Sequence, residues 1–375
     1  MNSADRAPAL ETPRLDPYLA RLLGDSVEIV AIRSLGGHVA DDPKGFGYGV
    51  PFEIECRVGG VARCFVVSRT RPAHGFGHDY PADRAWQALF SHPAYNSFPR
   101  HARSLDVGCA LGSGELRSVG DAVEFFQLVE KVEGQLYRLD LDHLLDAGAT
   151  ALDTARVTAL AVFLANAHAL KHDDPAIYHR RIRELVGHGE CLMGILDSYP
   201  EVYAPLPCAF RETIERAAVG WRWRLRGRTQ RLSRTHGDFH PWNILFRDGT
   251  DFSVLDRSRG EWGEPADDVA ALAINYLFFG LRRAAREGRA GVVAEPFRTL
   301  FQTFLDTYVA VSKDAEILEV LPPFFAFRAF VLAHPRWYPS LDDVTRATLI
   351  TFGHAMLDGG AFSLTDIPGW LEAAA

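Results

Sequence analysis

Residues 235–246 read THGDFHPWNILF. Two histidines, an aspartate and an asparagine stand directly before the apolar triplet Ile244-Leu245-Phe246. A short apolar triplet of that kind is a buried strand. Polar groups crowded at its entrance cost free energy unless something binds them. Thirteen residues past Asn243, a second short strand, FSVLD, ends in Asp256. The segment GEPADDVA then opens a long helical pattern, with acids in the first turn where the helix dipole favours them. The constellation therefore needs a fold in which two short strands are neighbours and a helix begins close by.

The spacing has a chemical logic. A hydroxyl attacking a phosphoryl group gains from a carboxylate that orients it and accepts its proton, and Asp238 is suited to that. Nucleotide phosphates travel with Mg²⁺, which takes hard oxygen ligands and keeps several waters. One amide oxygen and one carboxylate on neighbouring strands suffice, and Asn243 and Asp256 supply them. Phosphoryl transfer is mostly positioning and charge neutralisation, so few residues are required. The competing reading is structural: Asp and Asn residues capping a loop, followed by an acidic helix start.

HGDFHPWNILF, VLD and GEPADDVA together resemble the aminoglycoside phosphotransferase and choline kinase-like family. The resemblance implies an α+β, two-lobed protein-kinase-like fold, with a small β-rich N-lobe and a large, mainly helical C-lobe. It implies transfer of the γ-phosphate of ATP, with Mg²⁺, to a small-molecule hydroxyl acceptor. Asp238 would be the catalytic base, His236 would brace the loop, and Asn243 with Asp256 would hold the metal. Asp268 would organise the loop from the start of its helix. His240 and Trp242 either pack the loop or touch a substrate.

Upstream the resemblance is looser. FFQLVEKVEG matches the segment joining the lobes, so the backbone of Glu130, Lys131 and Val132 would contact adenine. SLGGHVADDPKGFGYGV occupies the place of the phosphate-covering loop, with Gly36 and Gly37 as its first turn and 45–49 as a lid. The strand-three lysine of the family is missing: FVVSRTR offers Ser68, Arg69 and Arg71. Arg69 is the candidate replacement, since a guanidinium grips phosphate bidentately, and Asp83 or Asp79 its partner acid. After the metal aspartate the chain reads DRSRGEWGEP, which puts Arg257 and Arg259 near the predicted metal. They either serve transferring charge or pair with Glu261, Glu264 or Asp267.

The pattern changes near residue 132, dividing the chain into 1–131 and 132–375. Residues 1–17 read as a loose arm. VEIVAIRSL, FEIECRV and ARCFVVSRT read as strands, the last two a hairpin about Gly59-Gly60. DYPADRAWQALFSH is a capped helix and VEFFQLVEKVEG a strand ending at Gly134. TALAVFLANAHAL, RETIERAAVGWRWRL and most of the chain after 265 have helical spacing. Residues 180–200, with His188, Glu190 and Cys191, read as a helix corner or an acceptor-pocket wall. Trp221 and Trp223 read as helix anchors.

A formal charge of −8 and pI near 6.0 do not favour a nucleic-acid partner. No run approaches the length of a membrane span, and the N-terminal residues lack an apolar signal core. Five dispersed cysteines without a CxxC pair suit a reducing compartment, so the expected location is cytoplasmic. Only four of the 40 basic residues are lysines. A polycationic acceptor would want a strongly acidic pocket, and the last hundred residues carry many arginines. Oligomeric state is not legible. The missing lysine keeps a second reading open, a nucleotide-binding pseudokinase or scaffold; a protein kinase is a third, which the HPWN loop disfavours.

Overall fold

A computed structural model describes residues 12–35, 48–72 and 77–359. The chain forms two compact units, Met1–Val129 and Glu130–Ala375. Gly36, Gly37 and the expected lid residues 45–47 lie outside the described residues.

The first unit runs α1 (Thr12–Leu23), β1 (Val27–Ser34), β2 (Gly49–Val58), β3 (Val61–Thr70), α2 (Pro81–Ser97), β4 (Gly108–Ala110) and β5 (Leu116–Ser118). Strands β1, β2 and β3 form an antiparallel sheet in that order. The β2–β3 hairpin closes on Gly59 and Gly60, with φ of 53° and 83°, values that an L side chain resists. Val58 faces Val61 across the turn.

The loose arm expected over residues 1–17 is corrected from Thr12 onward, because the chain there is helical. Leu15 and Leu19 are one helical turn apart, so they share a face. Both bury against Ile54, Cys56 and Leu116. Tyr18 donates to Asp106 at 2.5 Å, and Arg21 to the Leu116 carbonyl at 2.8 Å. Leu19→Ala will therefore destabilise the first unit by about 2–5 kcal/mol. Urea unfolding of the full chain measures it; a change within error would detach α1 from this core.

The strand expected at VEFFQLVEKVEG is also absent. Residues 122–134 carry no regular structure, and Val123, Phe126 and Leu128 are exposed. Without a neighbouring strand to take its backbone hydrogen bonds, β propensity alone does not make a strand.

The second unit contains β6 (Gln135–Leu136), α3 (Tyr137–His143), α4 (Ala151–His168), α5 (Pro175–Gly187), α6 (Leu192–Ser198) and α7 (Cys208–Leu225). Then come β7 (Ser233–Arg234), β8 (Ile244–Phe246), β9 (Phe252–Val254) and β10 (Trp262–Gly263). Four helices close it: α8 (Pro265–Arg286), α9 (Phe297–Ser312), α10 (Ile317–Leu332) and α11 (Asp343–Leu357). Helix α8 is buried along most of its length, between α9 and α10, while α4 packs on α9 and α11 on α10. Helix α10 is apolar apart from Glu319 and Arg328 and is buried accordingly. Trp221 anchors α7, with its indole N–H on the Leu357 carbonyl at 2.9 Å. Trp223 does not: it is 60% exposed and flanked by Arg222 and Arg226. Residues 188–191 form the expected corner between α5 and α6. Among the described residues no helix is long and apolar enough to cross a membrane.

Candidate active site

The THGDFHPWN segment connects β7 to β8 and ends in a single 3-10 turn, Pro241–Asn243. Gly237 has φ of 89°, and a Cβ there would sit 2.7 Å from the Arg259 Cβ, so glycine is required on both counts. His240 starts the turn by accepting the Trp242 N–H on Nδ1 at 3.2 Å. That bond places the ring proton on Nε2, which faces Asp238 Oδ2 at 3.3 Å. His236 follows the same logic. Its Nδ1 accepts the Asp238 N–H at 3.3 Å, leaving the proton on Nε2. Nε2 is buried and makes no hydrogen bond among the described residues. Burial lowers the His236 pKa, so the ring is neutral and holds the loop.

Asp268, in the first turn of α8, anchors this loop. Its two oxygens accept the His236 N–H at 2.7 Å and the Gly237 N–H at 2.6 Å. Oδ2 also meets His168 Nε2 at 3.1 Å, and His168 Nδ1 meets the Tyr308 hydroxyl at 2.9 Å. The Asp268 side chain is 0% exposed. Burial pushes its carboxyl up, but the bonds from His168 and the His236 N–H outweigh that and hold it ionised below the usual range.

Asp238 lies at the outer end of the same turn of chain. Oδ1 is ion-paired with Arg328 of α10, and Oδ2 faces His240. Arg328 also donates to the Gly237 carbonyl at 3.0 Å and to Asp267 Oδ1 at 2.7 Å. Burial would push the Asp238 carboxyl up, but the His240 hydrogen bond and the Arg328 charge hold it far below the carboxylate range.

Asn243 spends its amide N–H on the Asp238 carbonyl at 3.0 Å. The opposite face of the amide, its oxygen, makes no hydrogen bond among the described residues. Ile244 pairs with Val254, and Leu255 N–H donates to the Asn243 carbonyl at 2.8 Å, so Asp256 follows directly beside Asn243. Asp256 has φ of 57° and is exposed, and its carboxylate makes no hydrogen bond or ion pair within the described residues. A free amide oxygen beside a free carboxylate is a hard-oxygen pair of the kind Mg²⁺ takes with waters completing its shell. No cluster of three or more His, Cys, Asp or Glu suited to a metal occurs among the described residues.

Among the described residues the arginines after Asp256 make no ion pair with an acid. Arg257 donates to the Thr235 and Glu261 carbonyls, both at 2.8 Å. Arg259 donates to Cys191 Sγ at 3.2 Å and the Glu190 carbonyl at 3.4 Å. The corner at 188–191 therefore reaches the segment that follows Asp256. Burial raises the Cys191 thiol to about 11 against the pull of Arg259, so it stays protonated.

The model of the phosphotransferase enzyme family matches residues 58–297, more than half of the chain. The chain belongs to that family. No curated protein matches it by sequence. Three solved structures to which this phosphotransferase is similar are an ethanolamine kinase of Plasmodium vivax, a choline kinase of Streptococcus pneumoniae and a glucosamine kinase. Their identities to it are 11%, 12% and 16%, and their TM-scores 0.35, 0.34 and 0.32. The matches cover 93%, 91% and 98% of this chain and 83%, 96% and 96% of the others. The family assignment rests on the sequence match. The α+β order that the sequence led us to expect, a small antiparallel sheet and then a large helical part, is the order present.

In this phosphotransferase His236, Asp238, Asn243 and Asp256 come together, with Asp268 behind them. The residues expected to contact the nucleotide are spread over both units. Arg69 is exposed on β3 of the first unit, its guanidinium carbon 5.9 Å from the Phe52 ring centre. Asp83 accepts the Tyr80 N–H at 2.8 Å, as a capping residue of α2. Glu130, Lys131 and Val132 begin the second unit in irregular backbone, and Lys131 pairs with Glu133 at 2.7 Å. Two residues of the site went unnoticed in the sequence, His168 and Arg328. Arg328 had a signal: it is the one arginine in the apolar run LPPFFAFRAFVL.

Proposed function

We propose that this phosphotransferase transfers the γ-phosphate of ATP to a hydroxyl of a small molecule, with Mg²⁺ bound by Asn243 and Asp256. The observation that carries the reading is the Asp238 carboxylate, ionised and fixed, on a loop that also presents a free amide oxygen beside a free carboxylate. Mg²⁺, when bound, would neutralise phosphate charge and align the transferring group.

The remaining work falls to the chain's own groups. Asp238 is a weak proton acceptor, since Arg328 and His240 both favour its charged form. A strong base is not required where the transition state is loose and the proton leaves the hydroxyl late. Asp238 therefore orients the hydroxyl and takes the proton as transfer proceeds. His236 and Asp268 keep the loop in shape. Arg69 and the backbone of Glu130, Lys131 and Val132 remain the proposed nucleotide contacts, with Gly36 and Gly37 for the phosphates. The acceptor side carries Arg259 and Arg328 beside Asp238 and Asp267, a balanced set of charges that suits a neutral hydroxyl compound better than a polycation.

The test is a screen of γ-labelled ATP against a metabolite library, with and without Mg²⁺. Label transferred to a small hydroxyl compound, and abolished by chelation, is the expected result. Stabilisation by Mg·ATP with no transfer to any acceptor would favour the pseudokinase reading, which the missing strand-three lysine motivates. Label on protein substrates would favour a protein kinase.

A further inference from the structure

Helix α10 is apolar except near its start and at one residue, Arg328, which is 7% exposed. An arginine there is a poor way to pack a helix. Buried ion pairs add little stability over apolar side chains of similar volume, and often less than none. Both terminal nitrogens of Arg328 are nevertheless engaged, while its buried Nε makes no hydrogen bond among the described residues. One is paired with Asp238 Oδ1; the other bonds the Gly237 carbonyl at 3.0 Å and Asp267 Oδ1 at 2.7 Å. Its guanidinium carbon also lies 4.8 Å from the Phe327 ring centre, which fixes the plane of the fork. The three acceptors come from the catalytic loop and the first turn of α8.

We propose that Arg328 is a positioning residue for phosphoryl transfer: its fork, braced on Asp267, sets the orientation of the Asp238 carboxylate toward the acceptor hydroxyl. This inference rests on the function proposed above. A carboxylate with two oxygens can rotate about its last bond, and only one orientation leaves a lone pair for the acceptor. Arg328 takes one oxygen from the α10 side and His240 faces the other at 3.3 Å. A lysine could not replace the fork, because one ammonium on a flexible stem cannot hold two carboxylates and a carbonyl in a plane.

The charged and titratable groups facing Asp238 are Arg328 from α10, His240 and His236 from its own loop, and Tyr338 beyond α10. Asp267 of α8 shares the Arg328 fork.

The test uses full-length protein with Mg·ATP and the acceptor found in the label screen, and ADP release to water as a second assay. Arg328→Gln is expected to lower kcat by about 10²-fold, the usual loss on misplacing a reacting group. KM for Mg·ATP should stay within about threefold, because the nucleotide contacts are elsewhere. Millimolar guanidinium should restore part of the rate. Arg328→Lys keeps a charge and guards against a variant that does not fold; a loss of about tenfold is expected. A folded Arg328→Gln or Arg328→Lys with wild-type kcat, beside an inactive Asp238→Asn, would overturn the positioning role and leave the proposed function standing. A wild-type protein that transfers phosphate to nothing would overturn the function and this inference with it.

Discussion

Asp238→Ala will lower kcat by about 10²–10⁴-fold, the usual contribution of a positioned proton acceptor. Binding of Mg·ATP should change little, since Asn243 and Asp256 remain. The fold should survive as well. Arg328 loses one partner but keeps Asp267 and the Gly237 carbonyl, and the loop keeps its bonds to Asp268. Asp238→Asn is the gentler variant, because an amide oxygen can still accept from Arg328 while the proton-accepting charge is gone. Steady-state kinetics with the labelled acceptor, alongside calorimetric titration with Mg·ATP, separates the two effects. Near-wild-type turnover in either variant would remove Asp238 from the reaction. Loss of ATP binding in both would make it a binding residue instead.

Asp268→Ala has the larger effect on stability, about 3–5 kcal/mol. It strands two buried backbone N–H groups and leaves His168 facing a void. The pH dependence has a definite sign. The folded chain holds Asp268 and Asp238 ionised below the usual carboxylate range. The unfolded chain binds protons on them once the pH falls below about 4. Their contribution is therefore complete above that pH and is lost as acid approaches the depressed folded values. Removing Asp268 will lower stability at neutral pH and flatten its fall in acid, both measurable by urea unfolding at a series of pH values. A variant within about 1 kcal/mol of wild type throughout would deny Asp268 its anchoring role.

The centre of the site was legible because its chemistry is local. Asp238 and Asn243 stand just before β8 and Asp256 just after its partner β9, where spacing translates directly into position. Asp268 was legible because acids at a helix start are a recognised signal. Arg328 was not, since a residue ninety positions away reaches the loop only through the packing of α10 on α8. The same limit applies to VEFFQLVEKVEG, whose β-rich composition says nothing of whether another strand lies beside it. Helix α1 was missed because Pro13 and Pro17 suggest a loose arm. The leucines at 15 and 19, one turn apart, outweigh that by giving the segment a face to bury. The arginines after Asp256 read either as serving transferring charge or as salt-bridge partners, and their hydrogen bonds go to backbone carbonyls and a thiol. Sequence gives the charge of a guanidinium but not which acceptor its fork will meet.

The loop's tie to the first turn of α8 has a consequence for how the protein fails. That helix is covered on its flanks by α9 and α10, so the loop has no way to loosen by itself. The amide protons of residues 236 and 237 are sealed by one buried carboxylate, and they exchange with solvent only when the helical unit opens around it. The loop is in that sense a gauge of the whole unit's lifetime: a destabilised core will silence it before any residue beside the acceptor has changed.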